Sequence, residues 1–301
     1  MADSNLKHWI EAFRLRTLPL ALSSILMGAF LANWQGLLRW DVFGLAVATT
    51  VFLQVLSNLA NDYGDSIHGA DSADREGPSR AVQAGVISSA QMKRAIYVFG
   101  ALALVSGIVL LIVAFGENWK WLLGFLVVGI AAIYAAITYT AGSSPYGYKG
   151  LGDISVLLFF GIAGVFGSYF IHTKQLDWVV ILPALSCGLL ATGVLNVNNI
   201  RDIHSDEKAG KRSIPVRIGR ANAVIYHFVL LGLAMICALA FSAMREASWF
   251  SFLFVLSFPL FVINALAVKN KTTAEALDPY LKQLALSTLL FVILFGIGLN
   301  L

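Results

Sequence analysis

Nine separate runs of apolar residues, each long enough to cross a bilayer, constrain this chain more than any other feature of its sequence. They fall at about 18–34, 42–61, 95–115, 121–140, 151–171, 178–198, 222–243, 249–268 and 283–300. A helix needs roughly 17–25 such residues to span the hydrocarbon core. Inside lipid every backbone N–H and C=O must be bonded within its own segment, so helices are the expected elements. The composition agrees, because 58% of the 301 residues are hydrophobic and 13% are charged, against about 25% charged in an ordinary soluble domain. The expected fold is therefore all-α and polytopic, with the bilayer as solvent and residues 1–301 forming one domain. Cys187 and Cys237 lie inside apolar runs with no CxxC partner, which makes them small buried residues. Met1 to Arg16 is amphipathic and mixed in charge, unlike a cleavable signal.

The distribution of Lys and Arg predicts the topology. With the N-terminus in the cytoplasm, the inside segments carry 17 basic residues and the outside segments carry 4, namely Arg39, Lys120, Lys174 and Arg245. That asymmetry fits nine spans in a cell (inner) membrane, the C-terminus on the outer side. The net charge of +4 comes from basic residues scattered at helix ends, so nucleic acid is not an expected partner. Two inside connections are long, roughly 62–94 and 199–221, and long ordered connections in a compact protein tend to carry function.

Both connections open on clustered Asn and Asp. The first reads Asn58-Leu-Ala-Asn61-Asp62-Tyr63-Gly64-Asp65, followed by Asp71 and Asp74. The second reads Asn196-Val-Asn198-Asn199-Ile-Arg201-Asp202-Ile-His204-Ser-Asp206. Asn61 and Asp65 are four apart, as are Asn198, Asp202 and Asp206. Four residues carry a helix about 40° past a full turn, so each set lines one face. Helix capping would explain one such cluster, but two with matching spacing, in a setting where a carboxylate is costly unless paired or coordinated, point to a site. Mg²⁺ takes oxygen ligands and is usually held by one or two carboxylates together with substrate phosphate oxygens. Two Asn/Asp faces meeting across a cavity would suit a diphosphate flanked by metal. Lys211 and Arg212 follow the second cluster and Arg80 the first, placed to grip phosphate or simply to hold their loops in the cytoplasm. Arg14 and Arg16, at the mouth of the first span, could reach an anion or anchor to headgroups. His68 and His204 stand beside the clusters, but Mg²⁺ prefers oxygen, so they are expected at the surface or as supports.

Asn61-Asp62-Tyr63-Gly64-Asp65 with Gly69 and Asp71, and Asn199-Ile-Arg201-Asp202 with Asp206, Gly210, Lys211 and Arg212, resemble the paired motifs of the UbiA superfamily of intramembrane prenyltransferases. Within it the chain looks most like the MenA branch, which prenylates 1,4-dihydroxy-2-naphthoate. Arg14-Leu-Arg16-Thr17-Leu18-Pro19, Val216-Arg217-Ile218-Gly219 and Tyr146 through Asp153 add to the likeness, which spans nearly the whole chain. The resemblance implies nine helices bundled around a central cavity open toward the membrane. It implies Mg²⁺ held by Asn61, Asp65, Asp71, Asn198, Asp202 and Asp206, with Asp65, Asp202, Asn61 and Asp206 carrying catalysis. Lys211, Arg212, Arg80 and Arg14 would bind the diphosphate. Gly69 stands where many superfamily members carry an acid, with Asp71 two residues later, and Ser143-Ser144-Pro145 replaces a stretch that is often basic.

The reaction so implied is transfer of a polyprenyl group from polyprenyl diphosphate to 1,4-dihydroxy-2-naphthoate, with loss of diphosphate and CO₂. Asp153 and Lys149 are candidate bases. Another aromatic acceptor, such as 4-hydroxybenzoate, is an alternative. A CDP-alcohol phosphotransferase would concentrate its acids in one motif, and a cation-coupled transporter would place them nearer the bilayer midplane.

Overall fold

A computed structural model of the chain describes residues 2–68, 80–245 and 248–301. Among them nine helices are long and apolar enough to cross a membrane, and no strand occurs. Helix α1 (Ala2–Phe13) ends where Arg14 turns left-handed, φ 49. Then come α2 (Leu18–Trp34), α3 (Trp40–Ile67), α4 (Ser89–Phe115) and α5 (Trp119–Thr138). The remaining spans are α6 (Gly152–Thr173), α7 (Trp178–Arg201), α9 (Ile214–Met244), α10 (Trp249–Asn270) and α11 (Ala274–Asn300). The short α8 (Ile203–Lys208) sits between α7 and α9.

Local signals set the starts. Ser88 and Gln91 form a reciprocal capping box at α4, which satisfies two otherwise orphaned N–H groups. Asn118 caps α5 and Thr273 caps α11. Prolines sit in the first turn of α2 and of α9, where their missing N–H costs nothing.

The nine expected spans are all present, and the correction lies at their motif-bearing ends. α3 runs on to Ile67, past the expected end near residue 61, so Asn61 and Asp65 share its helical end as their four-residue spacing implied. α7 reaches Arg201, and α8 follows with Asp202 between them. The polar residues that suggested a loop instead face the protein's own interior, where helix keeps their backbone groups bonded.

α7 runs through the largest core, among α2, α6, α9, α10 and α11, with Leu190, Tyr169, Phe241, Phe261, Phe291 and Phe295 fully buried. The Gly-rich fifth span has a packing cause. A Cβ on Gly161 would lie 2.7 Å from the Ala184 carbonyl oxygen and 3.2 Å from the Gly188 Cα, so α6 and α7 cross at backbone contact. There α6 widens into a π-helical stretch, Leu157–Phe166. α5 buries none of its residues and packs mainly against α3 and α4, with Trp121 and Phe125 also meeting Phe170 of α6, which leaves much of its surface for lipid.

Candidate active site

At the end of the bundle where α3 and α7 finish, the last turns of α3 form one wall. Four of its polar residues do different work. Asn58, 3% exposed, donates to the Phe13 carbonyl and to Thr17 Oγ1, at 2.9 and 3.0 Å, and so ties the α1–α2 turn to the wall. Asp62, buried like its neighbours, accepts from the Ala81 and Val82 N–H groups, at 3.3 and 3.5 Å. This tether brings Arg80 back across the helix end. Arg80 donates to the Asn61 carbonyl at 2.7 Å and pairs with Asp65 at 2.5 Å. Asn61 and Asp65 are thus left on the inner face, with Thr140 donating to Asn61 Oδ1 at 3.1 Å and Tyr148 to Asp65 Oδ1 at 3.0 Å.

The second wall is built from α7 and α8. Arg201 grips both oxygens of Asp202, Nε to Oδ1 and Nη2 to Oδ2, each at 2.7 Å. Its Nη2 also donates to Asn198 Oδ1 at 3.0 Å and its Nη1 to Asp278 Oδ1 at 2.6 Å. After α8 the chain turns at Gly210, φ 73, which sends Lys211 inward and Arg212 outward. Lys211 Nζ donates to Asp206 Oδ1 at 3.0 Å. Burial opposes the charge on Lys211, yet Asp206, then Tyr139 and Asp65, hold its ammonium protonated well above the usual lysine range. Burial raises Asp206 despite Lys211, and Asp202 and Asp65 raise it further. Burial likewise raises the Tyr148 phenol, and the adjacent Asp65 adds to it. Asp65 therefore acts on Asp206 and Lys211 across the interior, and the two motifs share one electrostatic site.

That site opens into a polar chamber of about 820 Å³ lined by Asn61, Asp65, Arg80, Asn198, Arg201 and Lys211, with Arg14 and Arg16 at its mouth. A second, apolar chamber of about 410 Å³ lies among α2 to α6. The two share Gln54, Asn58, Asn61, Tyr139, Val156, Phe160 and Leu195 in their linings. Leu104, Ile108, Val128 and Ile130 line the apolar chamber and are themselves exposed on the outer surface, so it opens sideways toward lipid.

The structure brings Asn61, Asp65, Asn198, Arg80, Lys211 and Arg14 around one chamber. Asp202 and Asp206 stand just behind, each covered by its basic partner. Arg212 is exposed and outside the lining; only its backbone N–H engages the site, donating to the Tyr148 carbonyl at 2.8 Å. Lys149 is exposed as well, and Asp153 accepts from Tyr226 at 3.1 Å without lining either chamber, so neither is placed as a base. Asp71 lies outside the described residues. Asp278 was not singled out from sequence, and Tyr148 and Arg201, though they fall in the quoted motifs, were given no role there, since the Tyr148–Asp65 and Arg201–Asp278 contacts form only through the tertiary fold.

The donors fit a hard cation. They are carboxylate and amide oxygens, and buried Asp206 Oδ2 accepts no well-aligned hydrogen bond although Lys211 Nζ is 3.0 Å away. Among the described residues no three His, Cys, Asp or Glu side chains converge to hold a metal unaided, so phosphate oxygens would have to complete the shell.

Residues 21–297 match the model of the UbiA prenyltransferase family. A protein of Haemophilus influenzae named 1,4-dihydroxy-2-naphthoate octaprenyltransferase is 46% identical over 99% of this chain and 97% of its own length. An Escherichia coli protein of the same name is 45% identical over 98% and 96%. Among solved structures, a UbiA homolog from Archaeoglobus fulgidus bound to DMAPP and Mg²⁺ superposes with a TM-score of 0.60, at 18% identity, over 95% of this chain and 98% of that one. The chain is therefore a multi-pass membrane protein of the UbiA prenyltransferase family, and it stands with the relatives named for 1,4-dihydroxy-2-naphthoate.

Proposed function

We propose that the chain, acting as one domain, transfers a polyprenyl group from polyprenyl diphosphate to 1,4-dihydroxy-2-naphthoate, releasing diphosphate and CO₂ and giving the quinol form of demethylmenaquinone. The observation that carries this reading is the meeting of a charged chamber and an apolar one at Asn61. A prenyl diphosphate has that same division, and its reactive carbon lies at the boundary. The relatives' names support the acceptor. The ligands of the Archaeoglobus neighbour support a prenyl diphosphate and a divalent cation.

Asn61, Asp65, Asn198, Asp202 and Asp206 would hold the cation, Mg²⁺ in this proposal, with Asp71 a further candidate. Its chemistry there is to offset the negative charge that grows on a departing diphosphate. Lys211, Arg80 and Arg14 take phosphate oxygens. Tyr148 and Arg201 keep Asp65 and Asp202 in place. The bond from the first prenyl carbon to oxygen breaks with both electrons going to diphosphate. The apolar walls, including Phe160 and Val156, exclude water from the allylic cation. The electron-rich naphthoate ring forms the new carbon–carbon bond, and its carboxylate departs as CO₂ while that bonding pair returns to the ring. We place the protein in the inner membrane, with the N-terminus and the acidic site cytoplasmic and the C-terminus outside, because the basic residues cluster on that side.

The test is transfer by the detergent-purified protein with dihydroxynaphthoate or 4-hydroxybenzoate. Product from dihydroxynaphthoate alone supports the proposal; product from 4-hydroxybenzoate alone overturns the acceptor.

A further inference from the structure

Outside the polar chamber, where α6 and α9 begin, three cations stand together. Lys149, Arg212 and Arg217 are exposed, and none of them lines either chamber. Arg217 Nε donates to the Arg212 carbonyl at 3.0 Å, and its Nη2 donates to the Lys149 carbonyl. The guanidinium is thus fixed where two segments of chain meet. That meeting is tight, because a Cβ on Gly150 would lie 2.5 Å from the Arg212 carbonyl oxygen and 2.9 Å from the Arg217 guanidinium carbon. Among the described residues no acidic side chain forms an ion pair with any of the three. Cations gathered without an acid repel one another, and an anion among them would relieve that. Toward the membrane from them, Tyr226 of α9 donates to Asp153 of α6 at 3.1 Å. Beside that contact in the chain are exposed Leu151, Ile154 and Ile225.

We propose that Lys149, Arg212 and Arg217 bind the phosphate of an anionic phospholipid whose acyl chains lie on the apolar surface of α6 and α9. Such a lipid has the same division, with phosphate at the aqueous edge and hydrocarbon beneath, and basic pockets between membrane helices suit it. Holding a loop in the cytoplasm calls for cations, but not for a guanidinium pinned to two backbone carbonyls. The pinning ties the lipid to the acidic site. Tyr148 precedes Lys149 in the same loop; its carbonyl accepts from the Arg212 N–H at 2.8 Å, and its hydroxyl donates to Asp65 at 3.0 Å. A bound phosphate therefore clamps the loop that positions Asp65. This effect on turnover rests on the prenyl-transfer reading above, whereas the lipid site itself does not.

The test titrates detergent-purified protein with phosphatidylglycerol and counts bound lipid by native mass spectrometry. Wild type is compared with Lys149→Gln/Arg212→Gln, whose two side chains make no hydrogen bond or ion pair among the described residues. Each cation beside an anionic headgroup contributes about a fivefold factor in affinity, so the double variant should bind about thirtyfold more weakly. In phosphatidylcholine vesicles the two proteins should turn over equally, and added phosphatidylglycerol should raise kcat of wild type alone. Equal phosphatidylglycerol binding by wild type and variant would overturn the site. So would activation by soluble glycerol 3-phosphate, which would make the ligand a free anion. An equal gain by both proteins in phosphatidylglycerol vesicles would overturn the clamp. Wild type that binds the lipid thirtyfold better than the variant yet transfers no prenyl group in any vesicle would remove the parent reading and leave the lipid site standing.

Discussion

Gly64 lies between Asn61 and Asp65 in the interior of α3, where exchanging glycine for alanine ordinarily stabilises a helix by up to about 1 kcal/mol. Here the sign should reverse. A Cβ at Gly64 would stand 2.5 Å from the Thr140 carbonyl oxygen and 2.6 Å from its Oγ1, whereas ordinary contact begins at 3.4 Å. The methyl is short of room by about 0.9 Å against backbone, which cannot rotate aside, so α3 and the Thr140 segment must part. Overpacking of this kind costs about 1–3 kcal/mol. The functional loss should be larger in proportion. Thr140 Oγ1 donates to the Ala60 carbonyl and to Asn61 Oδ1, both at 3.1 Å, so the displacement falls on the site itself. A shift near 1 Å at reacting groups costs about a hundredfold in rate. Gly64→Ala should therefore lower the denaturation midpoint in detergent and cut kcat about a hundredfold. Gly124→Ala in α5, where nothing lies within 4 Å, should do neither. Equal stability and turnover in Gly64→Ala and wild type would refute the close-contact argument.

Removing the cation beside Asp206 should move the acid limb of the pH–rate profile. Burial already raises that carboxyl and Lys211 holds it back, so Lys211→Met lets it rise further and activity fails at a higher pH than in wild type; an unmoved limb would count against the pairing. Arg201→Lys keeps a charge but cannot grip both oxygens of Asp202 and still reach Asp278. Its melting midpoint should fall and its apparent metal requirement rise, both measurable in detergent.

The nine spans were legible because length and apolarity alone decide whether a helix crosses lipid. Asn61, Asp65 and Asn198 were legible through their four-residue spacing, which fixes a shared helix face. Other features depended on distant chain. Nothing near Arg201 announces Asp278, 77 residues on, and nothing near Asp65 announces Tyr148. Basic residues next to an acidic motif look alike in sequence, yet the Gly210 turn sends Lys211 in and Arg212 out. Asp153 looked available as a base, but Tyr226, 73 residues away, occupies it.

The central claim is that two motifs from α3 and from α7–α8 hold one diphosphate through a shared cation. Binding of a non-reactive polyprenyl diphosphate analogue, with and without Mg²⁺, tests it most directly in wild type, Asp65→Asn and Asp202→Asn. The account predicts tight, Mg²⁺-dependent binding by wild type that either substitution abolishes while the protein stays folded. Undiminished, Mg²⁺-dependent binding by either single variant would contradict it, because one motif would then suffice.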